Sequence, residues 1–218
     1  MLPTGKGLHP SNRFTLPYLK RRGHNRKRKM MKTARILSAA ARAGLAAHLK
    51  QGGLVAYPTE SCYGIGCLPY HTRALKKLVC LKKRPQNKGM IVIGNSLAQL
   101  LPLLGRPSES MTAMLENQWP APETFLLPCR RLPLLLRGRG RSKLAVRVPA
   151  HSTARQLCKA LNTPLVSTSC NRAGGRPCKT EREARRLFGR SVRVIGGRIG
   201  GRKTPSRIID AETGQRLR

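Results

Sequence analysis

The sequence predicts one mixed α/β domain, and three observations carry that expectation. Short apolar runs of buried-strand type alternate irregularly with segments of helical period. The length, 218 residues, suits one such domain with a real core. No internal repeat is present, and no apolar run approaches the roughly 20 residues of a membrane span. With 39% hydrophobic and only 4% aromatic residues, the core must be built from Leu, Val, Ile and Ala, Trp119 being the single tryptophan.

Residues 1–31 form a separate compositional unit, with nine Lys/Arg, no acid, and Pro3, Pro10 and Pro17 to forbid a continuous helix. They read as a disordered basic extension, a nucleic-acid arm or a nuclear-localisation-like patch. No h-region with a small-residue cleavage site follows the first residues, so no secretory signal is expected. The domain is expected over 32–218. From Ala34, residues Ile36, Leu37, Ala40, Ala41, Leu45 and Leu49 share one helical face, which Gly52-Gly53 ends. Leu54–Tyr57 reads as a buried strand stopped by Pro58. Thr72 is placed to cap a helix through Leu75, Leu78 and Val79 to about Lys83, before Arg84-Pro85 breaks it.

Met90–Ile93 reads as a strand, and 96–104 and 110–118 as helices. Thr124–Leu127 and Leu144–Val148 are strands flanking an Arg/Gly-rich stretch, 130–143, that is expected to be an exposed loop. A helix over 151–161, a strand over 164–168 and a Thr180-x-x-Glu183 capping box opening a helix to Phe188 follow. Val192–Ile195 and Arg207–Ile209 are short strands around a glycine-rich connection.

The charge is extreme: 44 Lys+Arg against 8 Asp+Glu, or +36. Such a field attracts polyanions by counterion release, or else it is a solvated surface with no dedicated partner. Seven cysteines without a C-x-x-C pair fit reduced thiols in a cytosolic-type compartment, so a cytoplasmic location is expected. Zinc-finger spacing, a P-loop and a dinucleotide-binding glycine fingerprint are all missing. Eight carboxylates in the whole chain argue against a two-carboxylate or two-metal hydrolase.

Four segments place polar residues where strands or helices end, which is where loops build sites. Tyr57–Gly66 supplies hydroxyls and one acid after a buried strand. Lys82–Gly89 gathers cations suited to a polyphosphate. Trp119–Phe125 is a rigid turn entering a strand, and Ser167–Asn171 is a run of hydrogen-bonding side chains. Singly, they read equally as turn, helix C-cap, turn and loop.

Together and in this order, Tyr57–Gly66, Lys82–Lys88, Trp119–Phe125, Ala145–Pro149, Ser167–Asn171 and Pro205-Ser206 resemble the threonylcarbamoyl-AMP synthase family, the YrdC-like (TsaC) proteins of short bacterial type. The resemblance spans about Ala34 to Leu217. It implies a single YrdC-like α/β domain, an open twisted mixed sheet with flanking helices around a basic central cavity. It implies an enzyme, a nucleotidyltransferase that joins L-threonine, bicarbonate and ATP into threonylcarbamoyl-adenylate with release of pyrophosphate. Other proteins then transfer the threonylcarbamoyl group to the tRNA adenosine beside the anticodon.

The same resemblance implies the site. Lys82 and Arg84 are expected to neutralise the triphosphate, with Lys88 as an outer contact and Mg²⁺ accompanying ATP. Thr124, Ser169 and Asn171 match nucleotide-contacting positions. Thr59 matches a contact to threonine, Arg147 is suited to its carboxylate, and Ser206 is assigned to the same pocket. No metal is assigned to protein ligands, and no nucleophile is required. Ala121 and Cys170 depart from the family pattern, where glycine and alanine stand, and Ile93 replaces a histidine of some longer members. The alternative is a YrdC-like RNA-binding or ribosome-associated protein with weak or no catalysis. Its phosphate contacts would come from the basic arm, the 130–143 stretch and Arg182, Arg185, Arg186 and Arg190. Scarce aromatics make such binding charge-driven and sequence-blind. A related carbamoyl adenylation, as in hydrogenase maturation proteins, lacks its zinc-finger and acylphosphatase-like regions here.

Overall fold

The computed structural model describes residues 37–85 and 87–218. The basic segment 1–31, the boundary at residue 32 and the first residues of the expected opening helix lie outside them. In chain order the elements are α1 (Ala39–Lys50), β1 (Val55–Pro58), β2 (Tyr63–Gly66), α2 (Thr72–Lys82), β3 (Ile91–Ile93), α3 (Leu97–Leu100), α4 (Glu109–Gln118), β4 (Glu123–Pro128), α5 (Leu134–Arg137), β5 (Lys143–Arg147), α6 (Ser152–Leu161), β6 (Leu165–Ser169), α7 (Glu181–Phe188), β7 (Arg193–Val194) and β8 (Arg207–Asp210).

The strands form one mixed eight-stranded sheet in the order β7-β1-β2-β6-β3-β5-β4-β8. β1 pairs antiparallel with β2, β2 with β6, and β6 with β3, whereas β3 runs parallel to β5. Both faces are covered, which explains why the strands read as continuous apolar runs. Along β1, Val55 and Tyr57 pack with Leu45 and Leu49 of α1 and Leu157 of α6. Leu54 and Ala56 point the other way, into a larger core with Leu75 and Leu78 of α2 and Phe188 of α7. Trp119 closes that core edge-to-face on Phe125, with ring centroids 5.6 Å apart.

Local signals account for most boundaries. Ser38 caps α1 through the Ala41 N–H, and the Thr180–Glu183 capping box opens α7. Four expectations are corrected. The cap of α2 is His71, whose Nδ1 accepts the Ala74 N–H at 3.2 Å, and not Thr72, which is already helical. The stretch 96–104 is one turn of α-helix followed by a 3₁₀ turn, Leu101–Leu103, because Pro102 cannot donate to a continuing ladder. The stretch 130–143 is not wholly exposed loop: it carries α5, with Leu132 and Leu136 buried in the core. Finally, Tyr63–Gly66, read as a loop segment, is strand β2, and four successive buried residues show it is central.

Candidate active site

The recess lies where β1, β5 and β6 end. After β1 the chain turns through Thr59–Cys62, closed by the Thr59 N–H and Oγ1, both donating to the Cys62 carbonyl at 3.0 and 2.7 Å. β2 then runs back and pairs Gly64 with Ser169, so the first and fourth motifs become neighbours. Glycine is required here. A Cβ on Gly66 would lie 1.5 Å from the Val166 carbonyl oxygen, so only hydrogen fits between β2 and β6.

The recess has a volume of about 170 Å³ and opens to solvent. Its walls include Thr59, Arg84, Arg147, Ser169 and Ser206, five of the nine residues expected at the site. Among the described residues, no Asp or Glu side chain lines it. Arg84 is held by the backbone beyond its own helix, its Nη2 donating to the Gly89 carbonyl at 2.6 Å and its Nε to that of Lys88 at 3.3 Å. Burial and then the neighbouring Arg141 push the Arg84 pKa down from its ordinary value. Arg147 is buried, with Nη2 3.1 Å from Glu60 Oε2, while its Nε, itself buried, has no hydrogen-bond partner among the described residues. Glu60 is fixed in turn by the Ala150 N–H, which donates to Oε1 at 2.8 Å.

The other four expected residues lie outside the lining. Thr124 is fully buried behind Ser206, the two hydroxyl oxygens 2.9 Å apart. Asn171 stands just past Ser169, whose Oγ donates to Asn171 Oδ1 at 2.7 Å. Lys88 is exposed and meets Arg84 only through its carbonyl. Lys82 is 3% exposed, and its ammonium donates to the Ser169 and Asn171 carbonyls and to Asn171 Oδ1.

Arg218 is the main recess residue that the sequence reading missed. Its guanidinium donates to the Ser206 carbonyl from Nε at 3.2 Å and from Nη2 at 3.1 Å. It arrives by a turn after β8 that carries the final residues back along that strand, Leu217 N–H to Ile208 O at 2.8 Å. No local pattern marks it among so many arginines.

The departures from the family pattern are accommodated. Ala121 has no left-handed backbone, packs against the core, and donates its N–H to the Val148 carbonyl at 3.1 Å. The Cys170 thiol is fully buried beside Cys178, and burial pushes both thiols up. Ile93 is buried with α6 on the face of the sheet packed by α1. Among the described residues, no group of three His, Cys, Asp or Glu side chains is arranged to hold a metal ion.

The molecule is thus a mixed α/β protein whose strand ends wall an arginine-bearing recess, with no Asp or Glu side chain in its lining among the described residues. The Sua5/YciO/YrdC family model, described as "Telomere recombination", matches residues 47–218, and the chain belongs to that family. It is 66% identical over 185 residues to the threonylcarbamoyl-AMP synthase of Neisseria meningitidis serogroup A, covering 84% of this chain and 98% of the relative. It is 49% identical over 179 residues to the protein of that name from Thiobacillus denitrificans, covering 82% and 95%. Among solved structures, P. abyssi Sua5 complexed with L-threonine superposes with a TM-score of 0.72 at 28% identity. That match covers 80% of this chain but 52% of the Sua5 chain, so this protein spans about half the length of that relative. E. coli YciO, at 23% identity and a TM-score of 0.67 over 79% of this chain and 84% of its own, shares the fold.

Proposed function

We propose that the chain is a nucleotidyltransferase that makes L-threonylcarbamoyl-adenylate from L-threonine, bicarbonate and ATP, for modification of tRNA beside the anticodon. The observation that carries this reading is that Arg84 and Arg147 line one recess together with Thr59, Ser169 and Ser206, with no Asp or Glu side chain in the lining among the described residues. The names of the close relatives and the threonine complex of P. abyssi Sua5 support it.

The chemistry needs positioning and charge more than a nucleophile. The threonine amine takes up bicarbonate with loss of water, giving a carbamate. A carbamate oxygen then bonds to the α-phosphorus as the bond to the bridging oxygen breaks and pyrophosphate leaves. Arg84 is assigned to the phosphates. Arg147, which lines the recess, is assigned to the carboxylate of threonine. Thr59 and Ser206 border that end, with Thr124 supporting Ser206 from behind, whereas Ser169, backed by Asn171, forms the nucleotide side. Lys88 is assigned an outer role from the surface.

The side chains present do not fit a metal cage, because among the described residues the lining has no Asp or Glu side chain and Glu60 is engaged by Arg147. Mg²⁺ is therefore assigned to the phosphates of ATP and to water. A cytoplasmic location, residues 1–31 as an extension apart from the catalytic unit, and transfer proteins as acceptors of the adenylate belong to the same reading. So does loose, salt-sensitive contact with RNA through exposed Arg172, Arg176, Arg182 and Arg186. Among the described residues, no helix is long and apolar enough to cross a membrane.

The test is pyrophosphate release from ATP with L-threonine and bicarbonate omitted in turn. Release that needs both is the expected result. Arg84→Ala and Arg147→Ala should each lower kcat/KM about ten- to a hundredfold, the worth of a charge-assisted contact. Folded protein that releases none with Mg²⁺ present, yet binds RNA at physiological salt, would overturn the proposal in favour of an RNA-binding role.

A further inference from the structure

Lys82 and Arg84 are two residues apart in one basic motif, yet they face different things. α2 ends at Lys82, and Lys83 adopts a left-handed conformation, φ 51°, which turns the chain so that Arg84 reaches the recess wall. Lys82 stays behind. Its ammonium has three protons, and three acceptors surround it: the Ser169 carbonyl, the Asn171 carbonyl at 2.6 Å and Asn171 Oδ1 at 3.1 Å. No donor is left over for a phosphate.

The lacing runs both ways. The Ala173 N–H donates to the Lys82 carbonyl at 2.8 Å, and Asn171 Nδ2 donates to the Gly175 carbonyl at 2.6 Å. The Asn171 side chain is thus oriented from both ends, its oxygen by Lys82 and Ser169 and its nitrogen by Gly175. Among the described residues, only Lys82 donates to the Asn171 carbonyl oxygen, so removing the ammonium strands a partly buried acceptor.

We infer that Lys82 is a positioning residue: its ammonium sets the Ser169–Asn171 turn that meets the nucleotide, and it does not bind the triphosphate. The inference rests on the adenylation reading and on the nucleotide role given there to Ser169 and Asn171. It has a consequence that a phosphate ligand does not share. A misplaced turn weakens every adenine nucleotide by the same factor, whereas a lost phosphate contact weakens ATP more than AMP.

The experiment measures dissociation constants of AMP and ATP by calorimetry on the full chain, for wild type, K82M, K82R and R84A. Lys82→Met and Lys82→Arg are expected to weaken AMP and ATP equally, by about tenfold or more, since arginine keeps the charge but cannot seat three donors on those three acceptors. Arg84→Ala should weaken ATP more than AMP. A K82M protein that loses ATP but keeps AMP, with K82R restoring ATP, overturns the inference, and so do unchanged affinities in both variants. If K82M does not fold, K82R carries the same comparison alone. Wild-type protein that binds neither nucleotide overturns the adenylation reading and this inference with it, a result read before any variant is made.

Discussion

Glu60 and Arg147 are counter-ions across the base of the recess, 3.1 Å apart and each about nine-tenths buried. Glu60 comes from the turn after β1 and Arg147 from the end of β5, so the pair ties two walls together. The Glu60 carbonyl also accepts the Arg202 N–H at 2.9 Å, and the Thr59 carbonyl that of Gly200 at 3.0 Å. The dipeptide thereby holds the glycine-rich connection that leads to Pro205-Ser206.

Removing one partner of such a pair leaves a buried charge without compensation. Glu60→Ala should destabilise the fold by about 3–5 kcal/mol, whereas Glu60→Gln, which keeps the acceptor for the Ala150 N–H, should cost less. Urea midpoints at unchanged m distinguish the two. Equal, sub-kcal effects would show that the pair does not hold the walls.

Thr124 and Ser206 are coupled behind the recess. Thr124→Val leaves the Ser206 hydroxyl buried with one partner fewer, and about 1–3 kcal/mol of stability should be lost. The double mutant with Ser206→Ala should cost less than the sum of the singles, since both polar groups are then gone. A double-mutant cycle on unfolding free energy measures this, and strict additivity would refute the coupling.

Gly66→Ala should be among the most damaging single-methyl additions in the chain. Its Cβ would collide with the Val166 backbone oxygen, and backbone cannot yield as a flexible side chain can. Separation of β2 from β6 would also pull Gly64 away from Ser169. Loss of cooperative unfolding, or of soluble folded protein, is expected by circular dichroism.

A pH dependence follows from Lys82. Burial first, and the neighbouring Arg84 next, push its pKa down to about 8. The Cys170, Cys62 and Cys178 thiols also face it, and burial raises all three, so they remain neutral through that window. Below pH 8 the ammonium presents three donors to three acceptors. Above it the amine has only two, and one acceptor goes unmet. Affinity for AMP should therefore be level near pH 7 and fall as pH rises through 8 to 9. K82R, charged throughout, should show no such inflection.

Much of the architecture was legible because its causes are local. The Thr180–Glu183 box opens α7 by satisfying backbone donors within four residues, and Arg84-Pro85 marks the end of α2 for steric reasons. The segment Tyr57–Gly66 was legible as site material, but not as a central strand. Its glycines look like loop until the Val166 carbonyl is placed against Gly66.

By itself, then, the sequence determined the α/β class, the covered faces of the strands, the family and the strand ends that build the site, since propensity, period and short motifs act over a few residues. Only the tertiary structure decided which cations of one basic motif face the recess. Arg84 lines it because a left-handed Lys83 swings the chain, Lys82 is consumed by three acceptors 87 to 89 residues away, and Arg218 enters from the far end of the chain. Such assignments depend on which strands become neighbours, and no local pattern of charge encodes that.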